Sequence, residues 1–129
     1  MFPTDDAPTF TTDHLREALR VCYDPELNVN IIDLGLVYDV QLSLDEDAPG
    51  YEPRYIADIT LTMRAPSEER EPLLIAQVQN RLAGLHAISR SNVQMVWEPA
   101  WSADRMSAAA RQQLGLDRPA KQGLINIRL

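Results

Sequence analysis

The sequence predicts a small two-layer α/β (α+β) domain: a three-stranded mixed sheet with helices on one face, in the order α-β-β-α-β-α. Three observations carry this. Two segments of period-two hydrophobicity, 36–44 and 55–63, are separated by an acidic connection containing Pro and Gly and should pair as an antiparallel hairpin. A segment of helical period then leads to a third alternating segment, and a strand-helix-strand succession implies a right-handed crossover with parallel second and third strands. At 129 residues, 45% hydrophobic and 24% charged, the chain has the size and composition of one soluble domain with one core.

Residues 1–10 carry two Pro among polar and acidic neighbours and are expected to form a disordered arm. Thr11 or Thr12 can cap a first helix whose apolar positions Leu15, Ala18, Leu19 and Cys22 fall at helical spacing before Pro25 ends it. His14, in its first turn, is expected to be solvated. In the first strand Leu36, Tyr38, Val40, Leu42 and Leu44 should face the core, with Val37, Asp39, Gln41 and Ser43 turned away. The charges of the connection 45–53 are expected to be solvated. In the second strand Tyr55, Ala57, Ile59, Leu61 and Met63 form the inner set, leaving Asp58, Thr60 and Thr62 on the open face.

Ser67, Glu68 and Glu69 supply a cap and first-turn acids for the second helix, Pro72 is tolerated only near its start, and Gly84 lies just past its end. His86 follows in a turn and should be exposed. Val93, Met95 and Trp97 mark the third strand. Ser107 can cap an Ala-rich helix closed by Gly115, and Trp101 and Met106 should pack this element on the sheet. The domain is therefore expected over 11–116. The tail 117–129 ends in the alternating run Leu124 to Leu129, a candidate edge strand within the chain or between chains.

Net charge and cysteine content exclude several classes of function. A net charge of −7 without a basic stripe argues against nucleic acid and anionic membrane surfaces. No apolar run approaches the ~18 residues of a membrane span, and the N-terminus lacks the pattern of a signal peptide, so the expected location is cytoplasmic. The single cysteine, Cys22, rules out an internal disulfide or a paired-cysteine metal knuckle within one chain.

Function is expected to lie in the stretch from Tyr23 to Tyr38, between the first helix and the first strand. It contains Asp24, Glu26 and Asp33, together with Pro25, which disfavours helix at Asp24, and Gly35, which permits a positive φ or a close backbone approach. The antiparallel hairpin brings Thr60, Thr62 and the turn after them toward this loop. A crevice of carboxylates and hydroxyls there suits hydrogen-bonded recognition or a hard cation. A solvated loop beside a strand end explains the same composition equally well.

The segments Val21-Cys22-Tyr23-Asp24-Pro25-Glu26, Asp33-Leu34-Gly35-Leu36-Val37-Tyr38, Thr60-Leu61-Thr62, Glu98-Pro99-Ala100-Trp101 and Leu114-Gly115-Leu116, in this order, resemble the SufT-type iron-sulfur cluster assembly factors. The same domain occurs in the PaaD component of phenylacetyl-CoA oxygenase systems. The resemblance implies a small α/β domain, an accessory role in maturing iron-sulfur proteins and often a homodimer. It also implies site residues Asp24, Pro25, Glu26, Asp33, Gly35, Thr60 and Thr62, and a transient iron-sulfur cluster or iron as cargo. The family commonly has a cysteine in the turn after the Thr-x-Thr strand, but here that turn reads Met63-Arg64-Ala65-Pro66-Ser67. Thiolates hold iron-sulfur clusters, so Cys22 is the only in-chain candidate, and its place near a helix C-terminus beside Asp24 and Glu26 disfavours a thiolate.

The expected function is that of a non-enzymatic accessory factor binding a scaffold, carrier or client. Asp24 and Glu26 would meet basic groups of that partner, Asp33 would brace the loop, and Thr60 and Thr62 would hydrogen-bond across the crevice. Two alternatives are a PaaD-like maturation partner of one oxygenase and a hydrolase in which Asp24, Glu26 and Asp33 hold a divalent metal.

Overall fold

A computed structural model describes residues 10–116. The arm and tail expected at 1–9 and 117–129 lie outside the described residues. The elements follow the predicted order: α1 (Thr12–Ala18), β1 (Val37–Leu44), β2 (Tyr55–Leu61), α2 (Arg70–Ala83), β3 (Ile88–Met95) and α3 (Ala108–Gln113), with short 3₁₀ turns at Leu19–Val21 and Ala103–Arg105. The sheet order is β1-β2-β3, with β1 antiparallel and β3 parallel to β2. No helix among the described residues is long and apolar enough to cross a membrane.

Thr11 caps α1: its side chain accepts from the backbone N–H of His14, and the Thr11 backbone N–H donates to Nδ1 of the His14 ring. Ser67 Oγ accepts from the first backbone N–H of α2, at Arg70, so the helix starts two residues before Pro72. Leu15 and Leu19 from the first helical segment and Leu74, Val78 and Leu82 from α2 are buried with Ala57, Ile59 and Leu61 of β2 in one core. At roughly 25 cal/mol per Å² of apolar surface removed from water, this shared core is the main stabilising term.

The strand phases hold in the middle of each strand but not at the start of β1 or at the strand ends, where Thr62 is buried and Trp97, beyond the end of β3, is exposed. Val37 pairs with Leu61 and Val40 with Ile59, while the register slips between Val37 and Asp39. A bulge at Tyr38 therefore puts Val37, rather than Tyr38, on the core face, while Leu36 just before the strand is buried as expected. Tyr38 instead donates from its hydroxyl to the carbonyl of Pro99 at 2.8 Å. Leu44, at the far end, is exposed rather than inward. β3 begins at Ile88, earlier than its hydrophobic alternation suggests, because Arg90 and Asn92 alternate outward from a strand end with little apolar content. Asp45 is not solvated: it is buried, accepting from Ser89 Oγ at 2.6 Å and from the backbone N–H of Asp47.

The segment from Ala18 to Glu26 runs antiparallel along α2, fixed at three points. Arg81 Nε donates to the carbonyl of Ala18 at 2.8 Å. The Gln77 amide brackets the Tyr23 backbone, accepting its N–H and donating to its carbonyl. Arg70 pairs with Glu26 at 2.7 Å. This line carries the chain from the core to the candidate site.

Candidate functional site

The loop after Cys22 is a tight structure held by its own backbone. Tyr23 and Asn30 form an isolated antiparallel bridge, and the backbone N–H groups of Asp24 and Asn28 donate to Val29 and Asp24 carbonyls. Asn28 takes a positive φ of 57°, a conformation that Asn tolerates better than most side chains. Inside the turn Asp24 is 6% exposed, and its Oδ1 accepts the backbone N–H of Glu26 at 2.7 Å and of Leu27 at 3.0 Å. Pro25 is exposed and keeps Asp24 extended at the mouth of this turn.

Asp24 and Glu26 are not free to meet a partner's bases, because the chain supplies its own. Arg64, from the turn after β2, donates through Nε to Asp24 Oδ2 at 3.1 Å and through a terminal nitrogen to Glu26. Arg70 takes the other Glu26 oxygen. The predicted crevice exists between this loop and the turn after β2, but it is only about 60 Å³ and Arg64 lines it. Burial alone would push Asp24 upward, yet bonds from Arg64 and from the Leu27 and Glu26 amides outweigh it and hold the carboxyl below its ordinary range.

Asp33 does brace the loop, more widely than its sequence context shows. Arg20 reaches it with both terminal nitrogens at 3.2 and 2.7 Å, Asn30 Nδ2 donates at 2.8 Å and Ser107 Oγ at 2.9 Å. Its backbone carbonyl accepts the N–H of Ser107 at 2.7 Å. Burial raises this carboxyl, but the donors Asn30, Ser107 and Arg20 together lower it below the usual value. The sequence does not mark Arg20 as a partner of Asp33, and it marks Ser107 as a helix cap, a role that Ser107 also fills by accepting the backbone N–H of Ala110. Asn30, three residues before Asp33, carried a local signal in that spacing.

Gly35 has φ +76°, and a Cβ there would lie 2.4 Å from the Arg105 carbonyl oxygen, so both expectations for this glycine hold. The Arg105 guanidinium sits 4.4 Å over the Tyr38 ring, and Trp101 Nε1 donates to the Leu34 carbonyl at 2.8 Å. Thus the segment after β3 packs onto the loop. Thr60 lies half-buried on the open sheet face, between Asp39 and Gln94. Thr62 does not line the crevice: it is 1% exposed and donates to the Val96 carbonyl at 2.7 Å, tying the ends of β2 and β3.

Cys22 is 1% exposed in the core. Burial pushes its thiol up, against a smaller opposing effect of Arg81. The three loop carboxylates do not converge: Asp24 and Glu26 share Arg64 while Asp33 is committed to Arg20. Among the described residues no group of three His, Cys, Asp or Glu side chains could hold a metal ion. Each of the loop's three acids is thus paired with an arginine of the same chain.

The fold and loop define a small α+β domain with an ion-paired loop between its first helix and first strand. The chain belongs to the iron-sulfur cluster assembly protein family, whose model matches residues 12–95. It is 36% identical over 104 residues, 81% of this chain and 93% of the relative, to the Fe-S protein maturation auxiliary factor YitW of Bacillus subtilis. It is 33% identical to the Fe-S protein maturation auxiliary factor SufT of Staphylococcus aureus, covering 72% of this chain and 96% of the relative. A solved DUF59 domain from Bacillus anthracis superposes with TM-score 0.68 at 34% identity, covering 81% of this chain and 92% of that one.

Proposed function

We propose that this chain is a non-enzymatic accessory factor that helps assemble iron-sulfur clusters or deliver them to client proteins in the cytoplasm. It acts through contacts with a scaffold, carrier or client at the face formed by the Asp24 to Gly35 loop and the turn after β2. The observation that carries this reading is the double clamp of Arg64 and Arg70 on Asp24 and Glu26, which fixes the loop's shape. Kinship to maturation auxiliary factors supports it. With Arg64-Ala65-Pro66-Ser67 in the turn and Cys22 buried, the thiolates that hold a cluster come from the partner, and this chain positions that partner.

The test is a strain lacking the gene. Iron-sulfur enzyme activities should fall in the deletion, return with the wild-type chain and return only in part with Asp33→Asn. Unchanged activities in the deletion would refute the proposal. Anaerobic incubation with iron and sulfide should give no cluster absorption on the chain alone.

We also propose a homodimer. β1 and β3 are both sheet edges among the described residues, which supports edge pairing between copies, and the alternating run 124–129 lies outside them. Light scattering that finds only monomer at high micromolar concentration would refute it.

A further inference from the structure

Of the large apolar side chains that are exposed among the described residues, Val21 (57%), Tyr23 (44%) and Leu73 (64%) belong to one seam. The three bonds that fix the segment Ala18 to Glu26 against α2 order them. Tyr23 lies at Gln77, Val21 lies between Tyr23 and the Arg81 contact, and Leu73 lies one helical turn from Gln77 toward Arg70. Tyr23 therefore sits between the other two.

The charges beside this seam are sorted. The four at the crevice, Asp24, Glu26, Arg64 and Arg70, cancel within the chain. Two acids at the margin are exposed: Glu17 stands about one turn before Val21 and Glu69 one turn before Leu73. Glu69 has no salt-bridge partner among the described residues, and Glu17 has only a 3.7 Å contact to Arg20 while its side chain remains 78% exposed. Arg81, bonded to the Ala18 carbonyl, adds a cation at the Val21 end, where Glu17 also stands, and Glu69 stands at the Leu73 end, so acids outnumber the unpaired cation at the margin of this apolar strip, on a chain of net charge −7.

We propose that this strip is the docking surface for a partner-protein segment with an apolar anchor flanked by Lys or Arg. The anchor covers Tyr23 and Leu73, and the flanking bases meet Glu17 and Glu69. This rests on the accessory function proposed above and names the partner's chemistry. It also moves the basic contacts from Asp24 and Glu26, which are already paired, to the acids of the margin. Apolar anchors ringed by polar contacts carry most of the energy in protein interfaces, and the charged margin sets selectivity and the rate of encounter.

The test has three parts. In the first, a fluorescent helical peptide with a Leu/Phe stripe flanked by lysines is titrated with the full chain, beside a version flanked by glutamates. The lysine peptide should bind at least tenfold tighter and weaken with salt. Leu73→Asp and Glu69→Lys should each lower its affinity tenfold or more, while Leu44→Asp, a like change at an exposed apolar site on β1, should not alter it. Equal binding of the two peptides, or equal loss in Leu44→Asp and Leu73→Asp, overturns the proposal.

In the second, each variant, checked for folding by circular dichroism, is returned to the deletion strain. Leu73→Asp should restore less than a tenth of the iron-sulfur enzyme activity that the wild-type chain restores. Full restoration by Leu73→Asp overturns the docking surface and leaves the accessory function standing. If the wild-type chain restores nothing while the peptide results hold, the docking surface stands and the accessory function falls. In the third, sedimentation compares wild type with Leu73→Asp. A wild-type dimer that becomes monomeric in the variant would assign the strip to a second copy and overturn the proposal.

Discussion

Arg64 and Asp24 stand 40 residues apart in the chain and meet at 3.1 Å, joining the turn after β2 to the loop after the first helical segment. Asp24 is nearly buried, so its charge depends on this contact and on two backbone donors. Removing one side of such a pair leaves an underpaired carboxylate. Arg64→Ala should cost on the order of 1 to 3 kcal/mol in urea denaturation. Arg64→Lys should recover only part of this, because an ammonium cannot reach Asp24 and Glu26 with a planar fork. A loss below about 0.5 kcal/mol in Arg64→Ala would contradict the paired arrangement.

Asp33 makes stability depend on acid. Its folded value lies below the ordinary one, so the unfolded chain takes up the proton first as pH falls. The stabilisation is full above the unfolded carboxyl value of about 3.9 and is lost as pH drops through the lowered folded value. Asp33→Asn should be less stable than wild type at pH 7, and the gap should narrow in thermal melts below about pH 4. Asp24 contributes in the same direction, so the variant's curve flattens without becoming level.

Gly35→Ala should be costly. A positive φ disfavours an L side chain by about 1 to 2 kcal/mol. The new Cβ would also meet backbone at Arg105, which must move. Because Trp101 is bonded to the neighbouring Leu34 carbonyl, its fluorescence should report the shift. An unchanged melting temperature and spectrum would argue against the close approach.

Cys22→Ser should place a hydroxyl in a core site where the Gln77 carbonyl is the acceptor the thiol already reaches, at 3.9 Å, and cost about 1 to 3 kcal/mol. The native thiol should react slowly with a bulky alkylating reagent, since burial both shields it and disfavours the thiolate. Rapid alkylation in the folded state would show that Cys22 opens to solvent and restore it as a cluster ligand.

Thr62→Val keeps the shape and removes one donor. The Val96 carbonyl then loses its hydroxyl partner, at a cost of about 1 to 2 kcal/mol in chemical denaturation. A neutral effect would mean that water replaces the hydroxyl.

The sheet was legible because its strands announce themselves by alternation, and its topology because a helix between two strands forces a parallel crossover. The bulge at Tyr38 was not, since Tyr38 and Val37 are both apolar enough for either face and the slip arises only on pairing with β2. The loop's position, Gly35 and the brace at Asp33 were likewise readable from local chemistry. The partners of the loop acids were not: Arg64 and Ser107 act over separations of 40 and 74 residues, and nothing in the local pattern marks an arginine in a turn as the counter-ion of a distant aspartate. Thr62 misled because strand alternation predicts a face but not what waits at the strand's end.

The bond between Asp33 and Ser107 has a consequence for biosynthesis. Ribosomes add about 5 to 20 residues per second, so the 74 residues between these partners take roughly 4 to 15 seconds to appear. Through that interval Arg20 and Asn30 are already made, and Asp33 lacks one of its donors. A chain interrupted before Ser107 would contain the whole described sheet and α2, with Asp33 still paired to Arg20 but lacking the Ser107 hydroxyl and backbone donors. The brace of the loop is thus completed last, after the sheet and α2 have been synthesised.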